Sequence, residues 1–510
     1  MNKTKIIVYG MFLAFILFPV DATPFYALLF ENMISYLRML PELDWIMALF
    51  MATNCLLMFV LITWMFPFAF YYWSKVIDEF ESLKKLEGRA KQYKDIPKVA
   101  VVIPAFNEEK TIVQTVLSCQ AQTWRPSQII IIDDGSTDGM VKTLISKFGL
   151  IRKNLLTFPY TLNQKGRIIA RYSGGNITLI SKENAGKSFA LNCGFDEVRK
   201  DTKFTCIFDG DTIANPEGIR NLVYPMIEDE DLVLTSGRNQ IINGCNIADG
   251  KVTKVGTTWN PLVLFQIREY IYDLINKAFE NRIDAQTILT GNFSAYRMST
   301  VYHPNILGFD GRGLTEDYDY NFSVHTTRKV LNENGWKVRI ILNAQGWTQA
   351  PHSLSGLINQ RARWRGGILE TLKKNKKSPL NGPMNFVISV ARFRVAILPL
   401  LVFVGFTFIP LAVYAWFTNP YGYLVKDLIL YFYAPAFVVK MLTDLIVYNY
   451  VDWKYVRNYD KPSTYAFLSL FRTIFGYIYS TILLYCLAIA SWRLFKGTGK
   501  WGKMERTKVD

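Results

Sequence analysis

Hydrophobic and polar residues are segregated along this chain. Two apolar stretches lie near the N-terminus, at about 6–29 and 45–72, and three more lie near the C-terminus, at about 395–417, 427–448 and 465–492. Membrane-spanning helices need about 20 predominantly apolar residues, and these stretches reach that length. The region between the two groups has the mixed pattern of an aqueous domain. The pattern therefore predicts a globular domain inserted between transmembrane α-helices.

Basic residues indicate the orientation of the predicted spans. Lys75, Lys84 and Lys85 follow the second apolar stretch, and cytoplasmic segments carry an excess of Lys and Arg. We therefore expect a multi-pass protein of the cell (inner or plasma) membrane with its inserted domain on the cytoplasmic face. Three C-terminal spans would leave the basic tail at 493–510 on the outer face, so the charge pattern favours an even number of spans.

Apolar runs of strand length alternate with helical spacing in the inserted region. We predict strands at 98–104, 128–132, 177–180 and 203–208, and helices at 108–122 and 187–198. Such alternation is typical of an α/β fold with a mostly parallel sheet whose faces are covered by helices. Ligands of such sheets bind beyond the carboxyl ends of the strands.

Polar clusters follow the predicted strands at that edge. Asn107 and Glu108 follow the first strand, and Asp133 and Asp134 follow the second, within the segment DDGSTD. Carboxylates there can accept hydrogen bonds from a base and a ribose, although DDGSTD by itself could also be a helix cap. Lys187 opens the next helix, where the helix N-terminus already favours an anion. These clusters are candidate contacts of a nucleotide.

Asp209 and Asp211 follow the strand predicted at 203–208 as the sequence Asp-Gly-Asp. Paired carboxylates at a strand end suit a hard divalent cation such as Mg2+ or Mn2+, which binds oxygen ligands. The cation would bridge a diphosphate and stabilise a departing nucleotide. The three-residue pattern is common by chance, and its position at the end of a strand gives it specificity.

Two further segments carry residues suited to group transfer. Glu316 and Asp317 follow a glycine-rich stretch and begin a predicted helix, where a carboxylate can take a proton from an attacking hydroxyl group. The segment QRARW, at 360–364, lies on a basic amphipathic helix. Arginine can clamp a leaving diphosphate, and an aromatic ring is a platform for a sugar. A helix of this kind also suits the lipid surface, and the two interpretations are compatible.

Composition narrows the classes of protein further. The formal net charge is +16, but the sequence contains no nucleic-acid-binding motif, so we expect lipid and phosphate partners and no nucleic acid. The six cysteines show no paired spacing, which argues against a disulfide framework and a zinc site. The three histidines lack metal-ligand spacing, and we expect them to be structural.

These motifs, in this order, resemble the processive membrane-bound glycosyltransferases of family 2. The resemblance covers about residues 97–370 and rests on the segments PAFNEE, DDGSTD, NAGKSFAL, DGD, TGNFSAYR, TED and QRARW. That family includes cellulose, chitin, hyaluronan and poly-N-acetylglucosamine synthases. The resemblance implies a GT-A (Rossmann-like) catalytic domain, an inverting single displacement on a UDP-sugar, and C-terminal helices that export the growing polysaccharide.

The resemblance also implies roles for individual residues. Asp317 would be the general base with Glu316 beside it, and Asp209 and Asp211 would hold the metal ion. The donor site would contain Asn107, Glu108, Asp133, Asp134, Lys187, Asp209 and Arg363. The acceptor site would contain Thr290, Gly291, Asn292, Gln360, Arg361 and Trp364, with the Trp364 ring stacked on the growing end.

The predicted organisation has five parts. They are N-terminal transmembrane helices (1–75), a GT-A domain (76–350), an interfacial region with QRARW (351–382), C-terminal channel helices (383–492) and a basic cytoplasmic tail (493–510). An insert at 147–177 distinguishes the domain from the simpler bacterial members of the family. The expected partners are a UDP-sugar, the growing polysaccharide and the lipid bilayer, with accessory export subunits as further candidates.

Two alternatives stay open at the level of sequence. A non-processive enzyme would add one sugar to a lipid carrier, and a transport component would bind a nucleotide without catalysis. Lys440, Asp444 and Arg472, within apolar stretches, are compatible with the second alternative. The intact set of carboxylates favours chemistry. We expect UDP-N-acetylglucosamine as the donor, with hyaluronan-type alternation as the lesser alternative.

Overall fold

The computed structural model describes residues 66–154, 161–311, 313–330, 336–375, 380, 382–389 and 462–496. The apolar stretches at 6–29, 395–417 and 427–448 lie outside these residues, and that at 45–72 is described only from residue 66 onward. Within the described ranges, no helix combines the length and the hydropathy that crossing a membrane requires. The number of spans therefore stays a prediction.

The chain divides into two compact units, Met1–Ser82 and Leu83–Asp510. Helix α1 (Phe66–Gln92) crosses the boundary between these two segments of sequence. The sheet and all the motifs between 104 and 364 belong to the second unit.

Twelve strands are described in the second unit. They are β1 (Val99–Ala105), β2 (Gln128–Asp133), β3 (Ile151–Lys153), β4 (Ile168–Gly174), β5 (Ile177–Lys182), β6 (Phe204–Phe208), β7 (Ile213–Ala214), β8 (Leu232–Ile241), β9 (Asn246–Ala248), β10 (Lys251–Lys254), β11 (Phe293–Arg297) and β12 (Lys337–Thr348). Ten of them form one sheet in the order β3-β4-β5-β2-β1-β6-β11-β8-β12-β7, and β9 pairs with β10. Only β4, β7 and β11 run against the other strands of the large sheet. The prediction of a mostly parallel sheet is confirmed.

Helices alternate with these strands, as an α/β fold requires. After α1, the described helices with defined bounds are α2 (Ile112–Gln120), α3 (Met140–Phe148), α4 (Lys187–Asp196), α5 (Gly218–Glu228), α6 (Pro261–Arg282), α7 (Met298–Val301), α8 (Glu316–Val330), α9 (Leu354–Lys374) and α10 (Pro462–Lys496). The helices predicted at 108–122 and 187–198 correspond to α2 and α4. Each is somewhat shorter than its apolar spacing indicated.

The central strands β1, β2, β5 and β6 are buried along their whole length. Their sequences are nearly continuous apolar runs, because helices cover both faces of a parallel sheet and leave no face to solvent. The neighbours β1 and β2 pair in parallel from Ala100 opposite Gln128 to Ala105 opposite Asp133. This register brings the carboxyl ends of the strands level with one another.

The other half of the sheet is mixed and closely packed. Strand β11 runs antiparallel between β6 and β8 and begins at Phe293, whose side chain is fully buried. The Phe293 ring lies directly against Gly346 of β12, where an added Cβ would come within 2.8 Å of the ring. Glycine at this position therefore leaves room for the ring.

The insert predicted at 147–177 extends the sheet. Strands β3 and β4 form an antiparallel pair, and β4 pairs with β5 at the edge of the parallel core. Arg171 of β4 forms an ion pair with Glu197 at 2.7 Å, just after helix α4. The described part of the insert is thus an edge hairpin, and residues 155–160 lie outside the described ranges.

Candidate active site

The carboxyl ends of four parallel strands lie side by side at one edge of the sheet. The register aligns Ala105 of β1 with Asp133 of β2, and Asp133 with Ser181 of β5. Strand β6 lies on the other side of β1 and ends at Phe208, so Asp209 follows at the same edge. Phe293 pairs with Phe208, which brings the segment 290–292 to this edge as well.

The loop after β1 and the DDGSTD turn after β2 are joined by hydrogen bonds. Asn107 has φ 54°, a left-handed conformation that asparagine tolerates better than most residues. Its backbone N–H donates to Ser136 Oγ at 2.9 Å, and its Oδ1 accepts from the Thr137 N–H at 2.7 Å. Asp133 Oδ1 accepts from the Ser136 N–H at 2.9 Å. The two loops therefore form one preorganised surface at the strand ends.

The buried carboxylate of Asp134 organises the loop that opens helix α4. It accepts hydrogen bonds from Lys182 Nζ at 2.8 Å, the Ala185 N–H at 3.0 Å and the Gly186 N–H at 2.8 Å. The Asp134 carbonyl also accepts from Asn184 Nδ2 at 2.7 Å. These partners give Asp134 a structural function, and its predicted contact with a donor stays a prediction.

Glu108 lies beside the Asp-Gly-Asp segment. Its Oε2 accepts from the Thr111 hydroxyl at 3.1 Å, and the same hydroxyl lies 2.9 Å from the carbonyl oxygen of Gly210. An added Cβ at Gly210 would come within 2.9 Å of the Glu108 side chain. Close approach therefore explains why glycine separates Asp209 from Asp211.

Lys187 lies between two carboxylates at the centre of the site. Its Nζ is 2.7 Å from Asp209 Oδ1 and 2.7 Å from Glu316 Oε1. Burial disfavours the charged ammonium, but the two carboxylates outweigh burial and raise the pKa of Lys187 well above its usual value. Because 31% of the side chain is exposed, a charged lysine here can also meet a ligand.

Asp317 lies next to this cluster and is held by backbone amides. Its Oδ2 accepts from the Gly291 N–H at 3.0 Å, and its Oδ1 accepts from the Tyr318 N–H at 2.8 Å. Burial and the neighbouring charge of Glu316 raise the pKa of Asp317 to about 6. A carboxylate with this pKa is ionised at neutral pH and is a better proton acceptor than an ordinary aspartate.

Glu316 has the opposite shift. Burial would raise its pKa, but the ion pair with Lys187 outweighs burial and holds the pKa of Glu316 below its usual value. Arg363 contributes in the same direction, which brings an arginine of QRARW into the electrostatic field of the site. Two adjacent carboxylates therefore have distinct electrostatic environments.

The carboxylates of the Asp-Gly-Asp segment have the chemistry that a divalent cation requires. Burial raises the pKa of Asp209. The charge of Lys187 partly offsets this rise in pKa, and the charge of Asp211 adds to it. Asp211 is buried and accepts a hydrogen bond from the Thr348 hydroxyl at 3.0 Å. Among the described residues, no group of three or more His, Cys, Asp or Glu side chains could hold a metal ion alone. Asp209 and Asp211 offer the oxygen ligands that a divalent cation prefers.

The TGN segment is tied to strand β8 and to the Asp-Gly-Asp segment. The Thr290 N–H donates to Ser236 Oγ at 2.9 Å, and Thr290 Oγ1 donates to the carbonyl of Gly237 at 2.7 Å. Asn292 Oδ1 accepts from Asn239 Nδ2 at 2.7 Å. The structure thus brings all three predicted TGN residues to the same edge as Asp209 and Asp317.

Helix α9 contains the QRARW segment, as predicted. One arginine of the segment, Arg361, is buried in a contact within the protein. Arg361 is 2% exposed and forms an ion pair with Glu269 of helix α6 at 2.7 Å. Its guanidinium also lies 4.2 Å from the centre of the half-buried Trp364 ring. Arg363 is exposed on the same helix. The predicted contact of Arg361 with an acceptor stays a prediction.

Sequence reasoning missed several residues that support the site. Glu269 and Asn239 carry no motif signal, because they acquire partners only when α6 and β8 pack against segments distant in sequence. Thr348, at the end of β12, contacts Asp211. No pattern in the sequence around Thr348 could have indicated that contact.

The segments that form this site match models of glycosyltransferases. Residues 161–367 match the family described as "Glycosyltransferase like family 2", and residues 100–153 match "Glycosyl transferase family 2". The chain belongs to glycosyltransferase family 2, and the sequence-based prediction of that family is confirmed.

Curated relatives share this class. The chain is 26% identical over 280 residues to a Bacillus subtilis protein named "Probable glycosyltransferase YdaM", covering 54% of this chain and 56% of that one. It is 24% identical over 331 residues to the poly-beta-1,6-N-acetyl-D-glucosamine synthase of Staphylococcus aureus, covering 63% of this chain and 68% of the synthase. The match thus spans little more than half of the first relative and about two thirds of the second.

Among solved structures, the mannosyltransferase PcManGT from Pyrobaculum calidifontis, in complex with GDP-Man and Mn2+, matches with a TM-score of 0.44. The sequence identity is 14%, and the match covers 84% of this chain and 96% of the mannosyltransferase.

Proposed function

We propose that this protein polymerises a sugar from a UDP-sugar donor and that the sugar is N-acetylglucosamine. The observation that carries the proposal is the environment of Asp317, a half-buried carboxylate beside the Lys187–Asp209–Glu316 cluster at the sheet edge. The name of the Staphylococcus aureus relatives supports the choice of sugar. Order and spacing of the motifs support processive, inverting transfer.

In this proposal Asp317 is the general base. An acceptor hydroxyl attacks the anomeric carbon of the donor sugar, the bond to the diphosphate breaks, and the hydroxyl proton passes to Asp317. The backbone N–H groups of Gly291 and Tyr318 orient the carboxylate without neutralising it. Single displacement at the anomeric carbon inverts its configuration.

Lys187 and Arg363 stabilise the negative charge of the leaving diphosphate. Lys187 already contacts two carboxylates at 2.7 Å, so a bound diphosphate would be a third anionic partner of its ammonium group. Asn107, Glu108, Asp133 and Asp134 would line the nucleotide side of the site. Preorganised charges of this kind are usually the largest contribution to catalysis.

Asp209 and Asp211 would hold a Mg2+ or Mn2+ ion. When bound, such an ion supplies positive charge that stabilises the departing UDP. The fit rests on the two carboxylates that follow β6, which offer the oxygen ligands that these cations prefer.

The acceptor side of the proposed site is formed by Thr290, Gly291, Asn292, Gln360 and Trp364. The Trp364 ring supplies an aromatic face for the terminal sugar of the growing chain, since sugar rings present C–H groups that pack on aromatic surfaces. We further propose that the protein lies in the cell membrane with this site on the cytoplasmic face. The polysaccharide then leaves through the C-terminal helices as it grows.

The decisive experiment tests Asp317 with the full-length protein in detergent or nanodiscs. Purified protein is incubated with Mg2+ or Mn2+ and a panel of radiolabelled UDP-sugars, and product length is measured. Asp317→Asn should lower sugar transfer by at least about 10²-fold, the lower range for loss of a general base. Its affinity for UDP should change little, because the amide keeps the shape of the side chain.

Asp201→Asn is the matched control, since Asp201 is exposed, pairs with Lys98 and precedes β6 at the opposite edge of the sheet. Full transfer by Asp317→Asn would favour a component that binds a nucleotide without catalysis. Products of the wild-type protein that carry one added sugar would favour single transfer to a lipid carrier.

A further inference from the structure

Three helices meet at the ion pair between the buried Arg361 and the partly buried Glu269. Glu269 Oε2 of α6 accepts from Arg361 of α9 at 2.7 Å and from the hydroxyl of Tyr479 of α10 at 2.6 Å. Gln266 of α6 accepts from the same Arg361 nitrogen at 3.3 Å. A charge as buried as that of Arg361 requires such partners, because burial without them is strongly unfavourable. The contacts therefore define how α6, α9 and α10 lie against one another.

The same guanidinium also contacts the two residues predicted to bind the acceptor. Arg361 Nη1 donates to Gln360 Oε1 at 2.5 Å, and the guanidinium lies 4.2 Å from the centre of the Trp364 ring. A cation held over an aromatic face at this distance favours one orientation of the ring. The orientation of Gln360 and Trp364 therefore depends on where Arg361 is held.

Glu269 is charged in this environment. Burial would raise its pKa, but the Arg361 charge and the Tyr479 hydrogen bond outweigh burial and hold the pKa of Glu269 below its usual value. Tyr479 is additionally fixed by its ring, which stacks on Phe265 with centres 5.0 Å apart and an interplanar angle of 15°. Loss of the Tyr479 hydroxyl would therefore remove one hydrogen bond and leave the ring packing in place.

We propose that Glu269 and Tyr479 are positioning residues for the acceptor. They hold Arg361, and through Arg361 they hold Gln360 and Trp364, in a fixed relation to helix α10. The inference rests on the proposed function, because it concerns the acceptor of that reaction. Its consequence is that acceptor binding is coupled to the position of α10, whereas the donor-site residues Asp209 and Lys187 are held by contacts with each other and with Glu316.

The test compares acceptor and donor parameters in the full-length protein. The assay uses UDP-N-acetylglucosamine as donor and a soluble β-1,6-linked N-acetylglucosamine oligosaccharide as acceptor. Tyr479→Phe should raise the acceptor KM about tenfold, the lower end expected for one lost hydrogen bond to a charged group, and shorten the products. The donor KM and the affinity for UDP should stay within about twofold of wild type, the scatter usual for an untouched site.

Tyr485→Phe is the matched control, since Tyr485 lies on the same helix with 58% of its surface exposed. It should behave as the wild-type protein in every measurement. A Tyr479→Phe variant with an unchanged acceptor KM and unchanged product length would overturn the proposal. Equal loss of donor and acceptor binding would overturn it too, because that result indicates general damage.

Glu269→Gln provides a second measurement on the same contacts. It leaves the buried Arg361 charge without a counter-charge, so its melting temperature is measured alongside its kinetics. In the double variant with Tyr479→Phe, the rise in acceptor KM should be smaller than the product of the two single effects, because both changes act on one contact. Independent effects that multiply would contradict the proposal.

The experiment also separates this proposal from the function on which it rests. Wild-type protein that transfers sugar, with Tyr479→Phe unchanged, leaves the proposed function standing and removes only the positioning role. Wild-type protein that binds UDP but transfers no sugar from any donor of the panel removes both.

Discussion

Two neighbouring carboxylates at the start of helix α8 differ in the partners that fold around them. Glu316 contacts Lys187 at 2.7 Å, whereas the Asp317 carboxylate accepts from the backbone N–H groups of Gly291 and Tyr318. The pKa of Glu316 is lowered and that of Asp317 is raised to about 6. When two neighbouring carboxylates have different pKa values, the one with the lower pKa stays charged and the one with the higher pKa can act as a base. We therefore assign the proton transfer to Asp317.

This assignment predicts the pH dependence of sugar transfer. The base acts in its ionised form, and burial with the charge of Glu316 raises the pKa of Asp317 to about 6. We expect kcat/KM to be constant above about pH 7 and to fall about tenfold per pH unit below about pH 5, as for one essential base. Initial rates across this range, at limiting acceptor, measure the break.

Glu316→Gln tests the cause of the shift. It removes one charge that raises the pKa of Asp317, so the break in the profile should move to lower pH. A break that moves to higher pH, or a wild-type profile without any break between pH 5 and 7, would contradict the assignment.

At the scale of elements, the loop before strand β11 is held by helix α8. The buried Asn321 donates to the carbonyl oxygens of Gln286 and Thr287 at 3.0 and 2.8 Å, and His325 Nε2 lies 3.0 Å from the Gln286 oxygen. Burial lowers the pKa of His325 to about 4, so the ring is neutral at physiological pH. A neutral, buried ring agrees with the expected structural role of that histidine. The hydrogen bonds of Asn321 and His325 fix the loop that carries Gly291 against Asp317.

The fixed loop makes Gly291 sensitive to substitution. A Cβ at this position would come 2.7 Å from Asp317 Cβ and 2.8 Å from its Oδ2. Gly291→Ala should therefore displace the carboxylate and lower kcat at least about 10²-fold, because a small misplacement of a catalytic group has effects of that size. The affinity for UDP should change little.

Gly88→Ala is the matched control, since an added Cβ at this helical glycine meets no atom within 4 Å. It should leave kcat unchanged and raise the free energy of unfolding by about 0.5–1 kcal/mol, the usual gain of alanine over glycine in a helix. Full activity of Gly291→Ala would show that Asp317 tolerates displacement and would argue against its role as base.

At the scale of the whole molecule, the site draws on segments that lie far apart in the sequence. The Lys187 ammonium of α4 lies 2.7 Å from Asp209, which follows β6, and 2.7 Å from Glu316 of α8. These contacts form because β5, β1 and β6 lie in one parallel core and α8 packs at its carboxyl end. Helix α10 joins the same unit through Tyr479. The catalytic edge and the C-terminal helix are therefore parts of one packed body.

The membrane proposal makes a prediction at this scale. The apolar stretches at 6–29 and 395–417 are long enough to cross a bilayer. We expect the full-length protein to stay in the membrane fraction after an alkaline carbonate wash and to be released by detergent. Immunoblotting of the two fractions measures this, with a peripheral protein as the released control. Release of the chain by carbonate would contradict the predicted spans.

The strands and helices of the parallel core were predictable because their signal is local. Apolar runs of strand length at 128–132 and 203–208 became β2 and β6 within a residue of the expected bounds, since burial on both faces demands continuous apolar sequence. The antiparallel strand β11 between β6 and β8 was not predicted. Its pairing depends on contacts between distant segments, which periodicity does not record.

By itself, the sequence determined the family, the α/β class and which polar segments lie at the strand ends. Those properties follow from local patterns: apolar runs, turn residues and motif order. Only the tertiary structure decided that Lys187 pairs with Glu316, that Asp317 is left to backbone donors, and that Arg361 is buried against Glu269. The physical reason is that pKa values and ion pairs depend on burial and on distances of a few ångströms between segments. Neither is a property of neighbouring residues in the chain.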